Sequence, residues 1–251
     1  MTRTGLHKTL KTNTTMSKRL LLISNSTNYG EEYLDYTKPH IKDFLGETVK
    51  EVLFIPYAGV SMSYDAYTSK VENVFMKLGY SVKSVHKAED PVAAVEQAEA
   101  IVVGGGNTFH LVHVMHETGV MEAIRKKALE GTPYIGWSAG SNVACPSLKT
   151  TNDMPIIEPS SFNTLNLVSF QINPHYTDAI IPNHNGESRE DRIREFLVAN
   201  PEMIVVGLKE GTMLRLEGED IKYIGSKTIK VFRKDEPTLE FDKNAALDFL
   251  R

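Results

Sequence analysis

The sequence predicts an α/β fold: a mostly parallel sheet with helices on both faces and an antiparallel C-terminal extension. Strand-like and helix-like segments alternate from Arg19 to about Asn200, an order typical of a parallel sheet covered on both sides. After residue 200, short strand-like segments follow one another with tight turns between them, such as Glu217-Gly218-Glu219-Asp220. That change indicates an antiparallel extension of the same sheet.

Ten apolar segments carry the strand pattern. The first six are almost continuous in apolar residues, as expected of strands buried on both faces: Arg19–Asn25, Glu51–Pro56, Ser81–Val85, Ala100–Val103, Pro133–Trp137 and Leu167–Ile172. The later four are shorter and form the predicted extension: Met203–Gly207, Thr212–Leu216, Ile221–Gly225 and Thr228–Phe232.

Three segments between or after these strands carry helical signals. One repeats apolar residues at i, i+3, i+4 and i+7 and ends at Gly79: Val71, Val74, Phe75 and Leu78. The others are Gly119–Glu130 and Ser188–Asn200. Ser188 is a candidate N-cap because an acidic residue, Asp191, follows it three positions later.

Length, charge and cysteine content limit the class of protein. The chain has 251 residues, a net charge of −4 and one cysteine, Cys145. The mild negative charge argues against a nucleic-acid partner, and no apolar run approaches the roughly 20 residues that a membrane helix needs. One cysteine allows no internal disulfide, so we expect a cytoplasmic protein with no nucleic-acid and no membrane partner.

The first residues differ in composition from the rest. Residues 1–15 are rich in threonine and lysine and contain no acidic residue, and Met16-Ser17-Lys18 reads like a second start. We therefore expect residues 1–16 to form a disordered N-terminal extension. No linker, repeat or low-complexity block interrupts the remainder, which predicts a single α/β domain over residues 17–251.

A G-x-S-x-G motif, Gly136-Trp137-Ser138-Ala139-Gly140, is the first sign of chemistry. It lies between the predicted strand Pro133–Trp137 and residues Ser141–Ala144, which can open a helix. A serine at a strand-to-helix turn exposes its hydroxyl above the sheet, and flanking glycines let the backbone pass without Cβ clashes. Ser138 is therefore a candidate nucleophile, the alternative being a serine that only caps a helix.

A serine nucleophile needs N–H donors for the oxyanion of the tetrahedral intermediate. The residue after the nucleophile, Ala139, is one expected donor. The second should come from another loop at the same sheet edge, and Gly104-Gly105-Gly106-Asn107 follows the predicted strand Ala100–Val103. A phosphate-binding loop is the alternative, but the loop lacks the Walker lysine and the full G-x-G-x-x-G pattern.

The nucleophile also needs a base, and two histidines are candidates. His175 comes just past a predicted buried strand, where its side chain can reach a neighbouring strand end, and His184 lies in a polar loop. Position favours His175. Three further histidines, His110, His113 and His116, rotate round a helix by about 100° per residue, so they cannot all converge on one metal ion.

Six stretches together resemble a known family: Leu20–Thr27, Val103–Phe109, Gly136–Asn142, Asn173–Tyr176, Gly186–Phe196 and Leu208–Thr212. The chain resembles the peptidase E family of α-aspartyl dipeptidases, whose fold is similar to that of class I glutamine amidotransferases. The resemblance implies Ser138 as nucleophile, His175 as base, and Gly105, Gly106 and Ala139 as the oxyanion hole.

Two carboxylates are candidates for orienting the histidine, since the family pattern includes both Asp153 and Glu210. Glu210 directly follows a predicted strand, which places it at the same sheet edge as Ser138, whereas Asp153 lies in the loop Thr150–Pro155. We therefore predict that Glu210 orients the imidazole and stabilises its cation, and we keep Asp153 as a site residue.

The resemblance implies a substrate with an N-terminal aspartate, so the site needs a group that recognises a carboxylate. Arg189, in the first turn of a predicted helix, is the candidate because a guanidinium binds a carboxylate through two hydrogen bonds. The alternative is an exposed arginine paired with a local acid such as Glu190. Asn107 and Tyr176 are expected to line the same pocket.

The expected function is hydrolysis of α-linked Asp-X dipeptides through an acyl-enzyme, by a monomer or homodimer with a small peptide substrate, no cofactor and no metal. Two other functions stay open. One is a cyanophycinase-like peptidase, whose branched polymer substrate needs an open groove. The other is a non-catalytic small-molecule binding protein of the same fold. Serine, histidine, carboxylate and glycine-rich loop together favour the dipeptidase.

Overall fold

The computed structural model describes residues 17–179 and 185–251, which form two β-sheets with seven α-helices. The strands are β1 (Arg19–Ile23), β2 (Glu51–Ile55), β3 (Ser81–Ser84), β4 (Ile101–Val103), β5 (Tyr134–Trp137), β6 (Gln171–Tyr176), β7 (Val205–Lys209), β8 (Met213–Glu217), β9 (Asp220–Ile224), β10 (Ile229–Phe232) and β11 (Leu239–Phe241). The helices are α1 (Lys38–Leu45), α2 (Tyr64–Phe75), α3 (Pro91–Glu96), α4 (Thr108–Glu117), α5 (Val120–Leu129), α6 (Ala139–Asn142) and α7 (Arg189–Ala199). The expected N-terminal extension, residues 1–16, lies outside the described residues.

The larger sheet has the order β3-β2-β4-β5-β1-β8-β9. Its first five strands are parallel, and β8 and β9 add an antiparallel hairpin beside β1. Alternate residues of β1 face two different helix layers: Leu20 and Leu22 belong to the core packed by α4 and α5, whereas Leu21 and Ile23 belong to the core packed by α1 and α2. The predicted fold class, a mostly parallel sheet between two layers of helices, is therefore confirmed.

The smaller sheet has the order β11-β10-β7-β6, with β6 and β7 parallel. This corrects the expectation that every strand after residue 200 extends the first sheet: β8 and β9 do, but β7 and β10 do not. Each of the four strands predicted after residue 200 overlaps an observed strand, β11 was not predicted, and the strand pattern carries no information on which sheet a strand joins. Residues 210–212 carry the chain from the small sheet into the large one.

The strand predicted over Leu167–Ile172 is displaced, because β6 begins at Gln171 and runs to Tyr176. Leu167 and Val168 are buried, but they lie in a loop whose N–H groups bond to the carbonyl of Ala144. Their apolar character therefore reflects core packing and not strand pairing. His175 consequently lies inside β6 and not past its end.

The three predicted helices are confirmed as α2, α5 and α7. A short 3-10 turn after α2 ends at Gly79, which adopts φ 90°. Ser188 caps α7, and its hydroxyl and the Asp191 carboxylate form a reciprocal capping box. Within the described ranges, no helix is long and apolar enough to cross a membrane.

The carboxyl ends of three neighbouring parallel strands meet at one edge of the large sheet. There β1 continues into Ser24, β4 into the glycine-rich loop and β5 into Ser138. Crevices at this edge are where open α/β sheets bind ligands.

Candidate active site

Ser138 occupies the turn between β5 and α6 with φ 53° and ψ −112°, a conformation rare for a non-glycine residue. Its N–H donates to the carbonyl of Ile23, at the end of β1, at 3.0 Å. The helix predicted to open near Ser141 is a single turn, α6. A sharp turn of this kind directs the serine hydroxyl away from the sheet edge.

Two glycines allow this turn to lie directly against the sheet. A Cβ on Gly136 would lie 2.2 Å from the carbonyl oxygen of Gly140, and a Cβ on Gly140 would lie 2.2 Å from the carbonyl oxygen of Val103. Both neighbours are backbone atoms, so no side-chain rotation relieves the overlap. Packing therefore requires both glycines of the motif.

The glycine-rich loop after β4 runs immediately beside Ser138. A Cβ on Gly105 would lie 2.9 Å from the Cβ of Ser138, and Gly106 adopts φ 139°. The phenol of Tyr67 donates to the carbonyl of Gly105 at 2.9 Å, which sets the plane of the peptide that carries the Gly106 N–H. Among the described residues, the N–H groups of Gly105 and Gly106 donate to no other backbone group. As the first residue of a helix, Ala139 has no intrahelical acceptor for its own N–H.

A continuous hydrogen-bond path joins Ser138 to His175, in strand β6 of the small sheet, and then to Glu210, in the turn after β7. The Oγ of Ser138 lies 2.9 Å from Nε2 of His175, and Nδ1 of His175 lies 2.7 Å from Oε1 of Glu210. A carboxylate only accepts hydrogen bonds, so Nδ1 carries the proton and Nε2 presents its lone pair to the serine hydroxyl. This geometry suits proton transfer from serine to imidazole.

His175 has a strained backbone conformation that hydrogen bonds hold in place. It adopts φ 52° at a register shift between Pro174 and Tyr176. Its N–H donates to Oγ of the buried Ser24 at 3.0 Å, and that hydroxyl donates to the carbonyl of Leu208 at 2.7 Å.

Asn152 holds the other side of the same bulge. Its Nδ2 donates to the carbonyl of Pro174 at 2.6 Å, and its Oδ1 accepts from Nδ2 of Asn173 at 2.6 Å. The guanidinium of Arg189 donates to the same oxygen. Ser24 and Asn152 therefore hold the two polar groups of one peptide, the N–H of His175 and the carbonyl of Pro174.

Glu210 is placed by the turn that leads from β7 to β8. Gly211 adopts φ 83°, and its N–H donates to Oδ1 of the buried Asn25 at 2.8 Å. The hydroxyl of Tyr36 donates to the same oxygen at 2.7 Å, and burial raises the pKa of that phenol. These contacts fix the turn, while the Glu210 side chain itself is 49% exposed.

A cavity of about 570 Å³ opens beside this path. Ser138 and His175 form part of its wall, together with residues from the loops after β1, β2 and β4 and from α2. The full lining is Ser26, Tyr33, Ala58, Gly59, Val60, Ser61, Met62, Tyr67, Lys70, Gly105, Gly106, Asn107, Trp137, Ser138, Ile156 and His175.

Asp153 does not touch His175. Its Oδ2 accepts from the N–H and hydroxyl of Thr108, at 2.7 and 2.5 Å, and from the hydroxyl of Thr151 at 3.0 Å. It therefore binds the first residue of α4. Asn107 caps the same helix by accepting from the His110 N–H at 3.0 Å, and it lines the cavity beside Ser138.

Arg189 is the first residue of α7, as predicted, but it lies behind Asn152 in a smaller cavity of about 190 Å³ and not in the wall of the Ser138 cavity. In the described part of the chain it forms no ion pair. Burial lowers the pKa of its guanidinium, the neighbouring Arg192 lowers it further, and Asp153 raises it in part. Arg189 is thus a half-buried cation held by an amide oxygen.

Tyr176 points away from the Ser138 cavity. It is 3% exposed, packs on Phe232 and donates its hydroxyl to Asp178 at 3.1 Å. It borders a separate cavity of about 320 Å³ on the far side of His175. The bulge at residue 175 turns these two neighbouring side chains to different sides, which the sequence did not reveal.

The other histidines singled out in the sequence lie outside this hydrogen-bond path or outside the described residues. His110 lies by the carbonyl of Tyr57 at 2.7 Å, and His116 by the carbonyl of Asn163 at 3.0 Å. Both are half-buried. His184, the alternative base, falls in the segment 180–184, outside the described residues.

Comparison with known sequences gives a consistent picture. A sequence model of peptidase family S51 matches residues 20–224. Peptidase E of Nostoc sp. strain PCC 7120 is 59% identical over 235 residues, covering 94% of this chain and 97% of that protein. Peptidase E of Salmonella newport strain SL254 is 44% identical over 223 residues, covering 89% of this chain and 97% of that protein.

Solved structures share the fold at lower identity. A putative peptidase E protein from Listeria monocytogenes EGD-e matches with a TM-score of 0.62 and 22% identity, over 84% of this chain and 100% of that one. A peptidase from an acI-B1 Actinobacterium matches with a TM-score of 0.62 and 18% identity, over 90% and 98%. These likenesses concern the fold alone.

The two candidate carboxylates give a first prediction. Glu210→Gln should lower kcat by about 10²–10⁴, because the imidazolium formed in the reaction loses its negative partner. Asp153→Asn should keep kcat within about tenfold, because that carboxylate binds the start of α4. Steady-state kinetics on both variants decide between them, and a crippled Asp153→Asn beside a near-normal Glu210→Gln would contradict the placement.

The clamp around His175 gives a second prediction. Asn152→Ala should lower kcat by about 10-fold or more, since small displacements of a proton acceptor are costly in rate. Asn200→Ala is the control, because it removes an amide side chain that donates to the carbonyl of Phe196 but does not line the Ser138 cavity. Both variants should fold, and Asn152→Ala should lose more stability in thermal unfolding, because Asn152 makes three side-chain hydrogen bonds and Asn200 makes one. Equal kcat values for the two variants would refute the positioning role.

Proposed function

Because this chain belongs to peptidase family S51, we propose that it cleaves dipeptides whose first residue is aspartate, with Ser138 as the nucleophile. The chain is a peptidase and its substrate is a peptide. One observation carries the proposal: the hydrogen-bond path from Glu210 through His175 to Ser138, which ends in the wall of a cavity beside Gly105 and Gly106.

In the proposed reaction, Nε2 of His175 accepts the hydroxyl proton while Oγ of Ser138 attacks the carbonyl carbon of the aspartyl residue. The N–H groups of Gly105, Gly106 and Ala139 stabilise the resulting oxyanion. His175 then gives the proton to the leaving amine, the C–N bond breaks, and an aspartyl ester remains on Ser138. Water, deprotonated by His175, hydrolyses that ester and restores the serine.

The dimensions of the cavity support a small substrate. About 570 Å³ lies within the usual range for sites that bind small molecules. A cyanophycinase-like activity would need room for a branched polymer, and a binding protein without activity would have no use for the serine–histidine hydrogen bond. The name shared by the two sequence relatives, peptidase E, also favours the dipeptidase.

Location and assembly complete the proposal and rest on the sequence. Cys145 is buried and forms no disulfide, which fits the proposed cytoplasmic location. The proposed assembly is a monomer or a homodimer, and size-exclusion chromatography with light scattering distinguishes the two.

The serine mechanism and the substrate class are tested together. The wild-type protein should hydrolyse Asp-Leu faster than Glu-Leu, Asn-Leu or isoAsp-Leu, and Ser138→Ala should lower kcat by about 10³-fold or more with an unchanged melting temperature. Release of free leucine is the readout. More than a tenth of wild-type activity in Ser138→Ala would rule out the serine mechanism, and absence of Asp-Leu cleavage by the wild type would rule out the substrate.

Arg189 is proposed to bind the aspartyl side chain, taking the substrate carboxylate in place of the Asn152 oxygen. Arg189→Met should then narrow the ratio of kcat/KM between Asp-Leu and Asn-Leu by about 10-fold or more, and Arg189→Lys should restore only part of it. Arg192→Met is the control on the same helix. If Arg189→Met keeps the wild-type ratio of kcat/KM between Asp-Leu and Asn-Leu, another cation binds the aspartyl carboxylate.

A further inference from the structure

The cavity beside Ser138 contains one strongly basic side chain, Lys70. The other titratable groups of the described residues in its wall are His175 and two tyrosines, Tyr33 and Tyr67. Arg189, the cation expected from the sequence, borders a different cavity. The positive charge in the wall of this cavity therefore comes from α2, the helix that also supplies Tyr67, the donor to the Gly105 carbonyl.

Aromatic packing positions the Lys70 ammonium. Its Nζ lies 4.1 Å from the centroid of the Tyr33 ring. That ring meets Trp137 edge-on at 6.3 Å, and Trp137 directly precedes Ser138. A cation above an aromatic face is attracted to the ring and remains able to donate hydrogen bonds on its open side. The ammonium is thus held, at an exposed position, in the wall of the cavity that Ser138 also lines.

Lys70 has no acidic partner among the described residues. Helix α2 carries two acids: Asp65 pairs with Lys87 and lies near His86, and Glu72, only two positions after Lys70, points to a different side of the helix and forms no ion pair with it. Neighbouring lysines with acids in reach do pair, as Lys83 does with Glu51. A cation without an acidic partner in the wall of a substrate cavity is free to bind an anionic group of the substrate.

An Asp-X dipeptide carries two carboxylates, one on the aspartyl side chain and one at its C-terminus. Either group loses hydration on entering the cavity and needs a positive partner in compensation. We propose that Lys70 forms a carboxylate-binding subsite of this cavity. The inference rests on the proposed peptidase function and assigns Lys70 a contact with substrate.

Three ligands distinguish the two sources of the carboxylate. Asp-Leu carries both groups, Asn-Leu lacks the side-chain carboxylate, and Asp-Leu amide lacks the C-terminal one. Lys70→Met should lower kcat/KM for Asp-Leu by about 10- to 100-fold, mainly through KM, because it removes one charged hydrogen bond. It should lower kcat/KM less than threefold for whichever analogue already lacks the bound carboxylate. Lys70→Arg should keep more activity than Lys70→Met.

Lys77→Met is the matched control, because Lys77 is also exposed and follows α2 but does not line the cavity. Lys77→Met should leave kcat/KM unchanged for all three ligands. An effect of Lys70→Met that is absent, or equal for all three ligands, overturns the proposal.

Binding to an inactive protein separates this inference from the proposed reaction. In the Ser138→Ala background, calorimetry should show that Lys70→Met weakens Asp-Leu binding by about 10-fold or more. This measurement needs no turnover, so it reports on Lys70 even if the wild type fails to cleave Asp-Leu. Equal Asp-Leu affinities with and without Lys70→Met would refute the subsite.

Discussion

The candidate site depends on one hydrogen bond that crosses between two sheets. Ser138 belongs to the large sheet, whereas His175 is part of the small sheet and Glu210 follows its strand β7. The 2.9 Å contact between serine and histidine exists only because the sheets are docked at a fixed distance. A shared core provides that docking, since Leu20 and Leu22 of one sheet belong to the same buried cluster as Ile172 and Leu208 of the other.

Both partners of that bond have unusual backbone geometry. Ser138 and His175 adopt φ 53° and 52°, in a region that costs roughly 1–3 kcal/mol for residues with a side chain. Each is held by a hydrogen bond from its own N–H to a group at the end of β1: the Ile23 carbonyl for Ser138 and the Ser24 hydroxyl for His175. The end of β1 therefore acts as a common support for nucleophile and base.

The sequence predicted those parts of the molecule that local patterns encode. The parallel strands, the capped helix α7 and the serine turn each follow from periodicity, capping residues or a short motif. The small sheet did not, because strand pattern does not specify strand partners. The loop around Leu167 has the apolar composition of a strand because it is buried in the core. Ser24, Asn25, Asn152 and Lys70 carry no motif, and they are recognised only through tertiary contacts. Arg189 and Tyr176 share a sequence neighbourhood with the site, yet the structure places both side chains outside the cavity wall.

The central claim is that Ser138 is an activated nucleophile. Incubation with a fluorophosphonate, followed by peptide mapping in a mass spectrometer, tests it most directly, because the reagent phosphonylates a serine only where a base and an oxyanion hole assist. We expect a single adduct, on the peptide that contains Ser138. It should form in the wild-type protein and be absent in His175→Ala. An unmodified Ser138 peptide, or an adduct on another serine, would contradict it.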